Sequence, residues 1–176
     1  MVAIVEKNNP VLRQKADPVS LKEIGSKNIQ NILKQMREVL ASQEDGVAIA
    51  APQIGESLRI FLVSNKILPL KNGMPENEIV CINPVLIKLS RKKGLMEEGC
   101  LSVRWLYGDV LRATKATVRA YDAAGNLFTR GASGLLAQIF QHETDHLDGI
   151  LFIDKAHNLR ELPPQKRSAN SKEPLA

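Results

Sequence analysis

Along "SKNIQNILKQMREVLASQ" the apolar residues Ile29, Ile32, Leu33, Met36, Val39 and Leu40 recur at spacings of three and four, and the other positions are polar. That spacing predicts an amphipathic helix with one face in the core. Shorter apolar runs predict strands: "RIFLVS" (59–64) and "EIVCINPVLIKLS" (78–90). The second is expected to be interrupted at Asn83-Pro84, since proline removes a ladder donor. Between them, "NKILPLKNGMPENE" holds no period and is rich in turn formers, which predicts a polar loop. "KATVRAYDAAGNLFTRG" predicts a hairpin turning at Ala-Ala-Gly-Asn.

The segment "ASGLLAQIFQHETDHLDG" predicts a second helix of about four turns, with Ser133 as its N-cap and Gly149 just past its end. Leu135, Leu136, Ala137, Ile139, Phe140 and Leu147 fall nearly all round its wheel, so this helix is expected to be buried. "ILFID" reads as a short strand or turn, and from about Pro163 the chain has the composition of a disordered tail. No internal repeat is present. The expected organisation is one domain over residues 1–162 and a flexible tail over 163–176.

Composition changes this picture little. A chain of 176 residues, 44% hydrophobic and 24% charged, suits one soluble globular domain. No run approaches the roughly 18 apolar residues that span a bilayer, so no membrane partner is expected. The start, "MVAIVEKNNP", has neither the layout of a secretory signal nor the Arg/Ser-rich character of a transit peptide. Two cysteines exclude a disulfide framework. A reducing cytoplasm is the expected compartment, with an organelle as the alternative in a eukaryotic host. The net charge of +5 is concentrated partly in "RKK" (91–93) and partly in the tail. Short runs of this kind are usually solvated; as a partner signal they would favour only a weak RNA contact, such as ribosome association. No DNA partner is indicated, and monomer and dimer are equally compatible with the sequence.

The chemistry is concentrated in "HETDH". His142 and His146 stand one helical turn apart and project from one face, with Glu143 beside them. Burying three ionisable groups in one turn is costly without a cation, so the pair is read as two ligands of one metal ion. A third ligand is needed. Downstream, the zinc-peptidase pattern would place it at Phe152, which cannot ligate; Glu161 lies beside "LPP" and His157 has no helical neighbour. Upstream, "MEEGCLS" offers Cys100 in a tight turn after Gly99. A thiolate and two imidazoles leave a fourth position open for water, as a catalytic site requires. Cys81, inside "IVCIN", is read as a small buried hydrophobe.

With these residues the chain resembles the peptide deformylases. Three motifs carry the resemblance, in order: "GVAIAAPQ" (Gly46–Gln53), "EGCLS" (Glu98–Ser102) and "HETDH" (His142–His146), within a match from "NPVLRQKADPV" to "DHLDGILFIDK". The resemblance implies an α+β fold in which antiparallel strands surround a central buried helix carrying the metal motif. It implies removal of the N-formyl group from the N-terminal methionine of nascent polypeptides, by a metal-activated water. Cys100, His142 and His146 would be the ligands of one divalent ion, usually Fe²⁺, with Zn²⁺, Ni²⁺ or Co²⁺ able to substitute. Glu143 would be the general base, and Gln53 with the backbone N–H of Leu101 would face the oxyanion. Gly46, Val47, Ala48, Gly99, Leu135, Gln138 and Ile139 would contact the formyl-Met peptide, and Asp145 would pair with Arg112.

Two positions depart from the family pattern. Ala48 stands where the first motif has its second glycine, and Gln138 places an amide one turn before His142, where an aliphatic residue is usual. Both bear on substrate preference and leave the ligand set intact. Two alternatives remain, a different HExxH metallohydrolase acting as a peptidase and a non-catalytic metal-binding relative. The first needs a ligand downstream of His146, and the second would have lost Glu143 or Gln53.

Overall fold

The computed structural model describes residues 2–71 and 74–163. In chain order its elements are α1 (Lys27–Ala41), β1 (Ala48–Ala50), β2 (Ile60–Val63), β3 (Leu70–Lys71), β4 (Met74–Pro75), β5 (Ile79–Leu89), β6 (Lys93–Cys100), β7 (Val103–Ala113), β8 (Lys115–Tyr121), β9 (Leu127–Ser133), α2 (Gly134–Leu147) and β10 (His157–Glu161). The fold is α+β. One sheet has the order β1-β2-β5-β8-β9, a second β10-β7-β6, and β3 pairs with β4 alone. Every pairing between these strands is antiparallel.

Period-2 alternation divides the larger sheet between the two helices. Ile49, Ile60, Leu62, Val80 and Ile82 join the buried face of α1 in one cluster. Their neighbours Ala48, Ala50, Phe61, Val63, Ile79 and Cys81 point the other way and pack with Ile139, Phe140 and Leu147 of α2. β1, β2 and the first half of β5 (79–82) are therefore covered on both faces, which explains why they read as unbroken apolar stretches rather than alternating ones. Each fully buried aliphatic side chain contributes roughly 1.5–3 kcal/mol, so the two-sided burial of β2 and of the first half of β5 anchors the molecule.

The expected α1 is present, with all six predicted apolar residues buried. The Ser26 hydroxyl caps it, accepting from the Ile29 N–H at 3.3 Å. The expected break at Asn83-Pro84 is instead a bulge within a continuous β5. Register shifts between Ile82 and Val85, Asn83 takes a left-handed φ of 52°, and its amide bonds Val19 N and Val19 O at 2.8 and 2.7 Å. The expected polar loop after β2 contains the short β3–β4 hairpin, which no apolar period announces. The β8–β9 hairpin turns where predicted, the Asp122 carboxylate accepting from Ala124 and Asn126 N–H at 2.9 and 2.8 Å.

Helix α2 is not buried all round. Its first turn is open, with Leu135 52% exposed, and burial is nearly complete from Ile139 onward. Ser133 stands at the N-cap, but its side chain makes no capping bond. The C-terminus closes in a Schellman arrangement: Gly149 N–H donates to His146 O at 3.1 Å and Ile150 N–H to Asp145 O at 2.9 Å. Gly149 has φ 75°, and a Cβ there would fall 2.8 Å from the Arg13 carbonyl, so glycine is required twice over. Mid-helix, the Gln141 amide accepts from Ala113 N–H and donates to Ala113 O, both at 3.0 Å, clasping the end of β7. After α2, "ILFID" forms a 3-10 turn at Phe152–Asp154. The expected flexible tail lies outside the described residues apart from Pro163.

Candidate metal centre and substrate cavity

Strand parity sets the site. Along β6, Glu98 and Cys100 turn inward while Glu97 and Gly99 are exposed. Gly99 admits the Tyr107 ring, whose nearest atom would lie 2.7 Å from a Cβ. The turn Leu101–Ser102 then holds Cys100 against α2. Its Sγ stands 3.2 Å from His146 Nε2, and one ligand atom each from Cys100, His142 and His146 lie within 4.8 Å of one another. The three residues selected from the sequence as ligands are thus brought together.

A charged chain braces this cluster from behind. His142 Nδ1 lies 2.8 Å from Glu98 Oε2. Arg112 grips the same carboxylate with Nε at 2.7 Å and Nη2 at 2.9 Å, and reaches Asp145 with Nη1 at 2.6 Å. Asp145 also receives Lys155 Nζ at 2.7 and 2.8 Å. The expected Asp145–Arg112 pair is present, but the deeper partner of Arg112 is Glu98. Burial pushes the Glu98 carboxyl upward, and His142 and Arg112 overcome it, holding the group down at about 2.

The candidate ligand groups perturb one another in the same way. Burial raises the Cys100 thiol, yet His146 and His142 bring it down to about 5, toward the thiolate that ligates metals. His142 is lowered by burial and raised well past its usual range by Cys100 and Glu98. Burial raises Glu143, against the pull of both histidines. Glu143 Oε2 and His146 Nδ1 are buried without a hydrogen-bond partner among the described residues. A stranded polar atom costs on the order of 1–3 kcal/mol, and such a cost is characteristic of a site whose missing partners are ion, water and substrate. The donor set of one sulfur and two imidazoles suits a divalent ion of borderline softness.

Before Gln53, Ala50 N–H donates to its Oε1 at 2.8 Å. This fixes the amide so that Nε2 faces Ser102 Oγ at 3.3 Å and Cys100 Sγ at 3.5 Å. A cavity of about 270 Å³ opens here. Gly46, Val47, Ala48 and Gln53 form one wall, Gly99, Cys100 and Leu101 another, and Leu135, Gln138, Ile139, His142 and Glu143 the helical side. Ala48 lies in extended β1 and is not at positive φ, so its methyl carries no backbone strain. At the cavity wall, the Gln138 amide donates to Glu97 O at 2.7 Å and ties α2 to β6.

The cavity is also lined by residues that the sequence does not single out: Asp45, Glu97, Glu98, Arg104, Trp105, Leu106 and Tyr107. For Glu98 a signal existed, because it shares strand parity with Cys100. The residues set aside stay aside. His157 and Glu161 are exposed on β10; Cys81 is fully buried, and burial pushes its thiol up. Phe152 is buried with its ring stacked 6.3 Å from that of His142.

The family model described as polypeptide deformylase matches residues 1–161. The chain belongs to the peptide deformylase family. It is 44% identical to the peptide deformylase of Halothermothrix orenii over 153 residues, covering 87% of this chain and 92% of that protein. It is 41% identical to the Carboxydothermus hydrogenoformans peptide deformylase, with 89% and 93% covered. Among solved structures, the class I type b peptide deformylase from Acinetobacter baumannii with Met-Ala-Ser bound superposes with a TM-score of 0.79 at 32% identity, covering 88% of this chain and 98% of that one. No helix among the described residues of this deformylase-family chain is long and apolar enough to cross a membrane.

Proposed function

We propose that the cavity receives the N-terminus of a formyl-methionyl polypeptide and that the Cys100, His142 and His146 cluster, with Glu143, hydrolyses its formamide. Removal of the N-formyl group from nascent peptides is the activity of the family. The observation that carries the residue assignment is the convergence of three ligand atoms within 4.8 Å beside a cavity lined by Gln53 and Glu143. In this reading residues 1–162 act as one catalytic domain, and α2 is the central metal-bearing helix of the antiparallel fold. The ion is divalent, with Fe²⁺ the expected species and Zn²⁺, Ni²⁺ and Co²⁺ able to substitute.

Such an ion supplies a Lewis acid that brings the pKa of water toward neutrality and polarises the formyl oxygen. The chain's own residues do the rest. Glu143, raised by its burial, accepts the proton of the attacking water and returns it to the departing amine. The C–N bond of the formamide breaks, giving formate and a free α-amine. Gln53 Nε2, its amide fixed by Ala50, and the Leu101 N–H face the developing oxyanion, each donor worth about 3 kcal/mol. Glu98 holds His142 through Nδ1 and so leaves Nε2 for the ion. Beyond the methionine, β1 and β6 offer outer edges unpaired among the described residues, and an extended peptide can add to such edges. The Met-Ala-Ser complex of the Acinetobacter baumannii relative is consistent with a peptide in this groove.

A peptidase reading is not favoured, because the place of its third ligand is taken by Phe152, packed on His142. The test is formate release from formyl-Met peptides by protein purified without oxygen, with metal content measured on the same sample. Stoichiometric divalent metal and formate production support the assignment. Metal without sulfur coordination by absorption spectroscopy would overturn the ligand set.

A further inference from the structure

Three residues bulge out of β7 at the cavity mouth. Cys100 pairs with Val103 and Gly99 with Tyr107, so Arg104, Trp105 and Leu106 stand opposite a single step of β6. Trp105, the only tryptophan in the chain, has φ 66°. A bulky residue in the left-handed region is strained, and strain of this kind persists only where the surroundings hold it. Here they do. Leu162 N–H donates to Trp105 O at 2.8 Å. Arg104 reaches over to Asp45 with Nη1 at 3.2 and 2.9 Å and to Gln43 Oε1 with Nη2. The guanidinium lies 5.8 Å from the Trp105 ring centre.

These contacts hold Trp105 at the edge of the cavity. Asp45 immediately precedes the Gly46–Ala48 wall, on the side of β1 away from Gln53, and Arg104 follows the Cys100 turn. Their ion pair therefore ties the two walls together at the end of the groove remote from Gln53. Asp45, Arg104 and Trp105 all line the cavity, and Trp105 keeps 38% of its surface exposed. Asp45 is paired with Arg104 and Glu97 with Arg160, so among the described residues these charges at the mouth are shared and do not select a charged substrate. What it offers is a rigid aromatic face.

Resting on the deformylase reading, we propose that Trp105 is a specificity-determining residue for the polypeptide downstream of formyl-methionine. Its indole, presented by a strained backbone and flanked by the Arg104 guanidinium, is a platform for an apolar or aromatic side chain at the third substrate position.

The test compares formyl-Met-Ala-Phe with formyl-Met-Ala-Gly on wild type, Trp105→Gly and Trp105→Phe. Glycine accepts φ 66° without strain, so Trp105→Gly folds and loses only the platform. Aromatic contacts of this kind are worth about 3- to 10-fold in binding. The expected result is a wild-type preference of that size for the Phe peptide, carried by KM, lost in Trp105→Gly and largely kept in Trp105→Phe. Formate release with the same response of both peptides to Trp105→Gly would overturn the role of Trp105 alone. No formate from either peptide with metallated wild type would overturn the deformylase reading and this role with it.

Discussion

Glu98 Oε2 sits 2.8 Å from His142 Nδ1 while the same carboxylate is held at both oxygens by Arg112. One acid therefore orients a candidate ligand imidazole and neutralises a buried guanidinium. Glu98→Gln keeps the shape and removes the charge. Losing such a partner typically lowers metal affinity about 10- to 100-fold. A metal-competition titration with a chelator checks this; an unchanged affinity would mean that His142 needs no orienting carboxylate.

Glu143→Gln should retain metal and lose nearly all turnover. The glutamine fits the same space but cannot accept a proton, and general-base catalysis commonly accounts for about 10²- to 10⁴-fold in rate. Single-turnover formate release at full metal occupancy is the measurement. Wild-type-like rates in that sample would remove Glu143 from the mechanism.

Arg112→Ala should cut stability severely. The side chain is 5% exposed and faces two acids, so its loss strands Glu98 in the interior. Breaking a buried pair from one side costs roughly 3–5 kcal/mol. Urea unfolding at constant metal load reads this directly, and Glu98→Gln combined with Arg112→Ala should lose less than the two separate costs added, because no charge is then stranded at Glu98. Strict additivity would argue against coupling.

Ala48 turns its methyl toward α2, in the cluster that holds Ile139. Ala48→Gly therefore enlarges the helical side of the cavity, where the methionine side chain would lie. Discrimination between formyl-Met and larger first residues should relax, mainly through KM, a uniform-binding effect. The cost in stability should be about 0.5–1 kcal/mol from the added backbone freedom. A kcat change at constant KM across a series of first residues would show that the position acts on the transition state instead.

How far the sequence disclosed this site follows from distances along the chain. His142, Glu143 and His146 were legible because one helical turn relates them, and Cys100 because its turn is local. The two-sided burial of β2 and of the first half of β5 was implicit in the apolar stretches "IFLV" and "IVCI". Arg112 and Glu98 meet through the β6–β7 hairpin and His142 joins them from another element, a convergence that no local period encodes. The β3–β4 hairpin is too short to show alternation. Trp105 was hidden for another reason: its left-handed backbone is imposed by Arg104 and Leu162 against the preference of the residue, so local propensity points elsewhere.

The Gln141 clasp has a consequence for the empty protein. Its amide satisfies both backbone groups of Ala113 at 3.0 Å, so α2 cannot slide along β7 by a fraction of a residue without stranding a donor and an acceptor together. The helix is indexed to the strand, one setting or none. Because β6 is paired with β7, this indexing also fixes how far Cys100 lies along the axis from His142 and His146. Chelation should therefore leave a cooperative native state with the same amide-exchange protection around α2, and the ion should return without a slow folding step. The fold, rather than the cation, would measure out the spacing of the ligands.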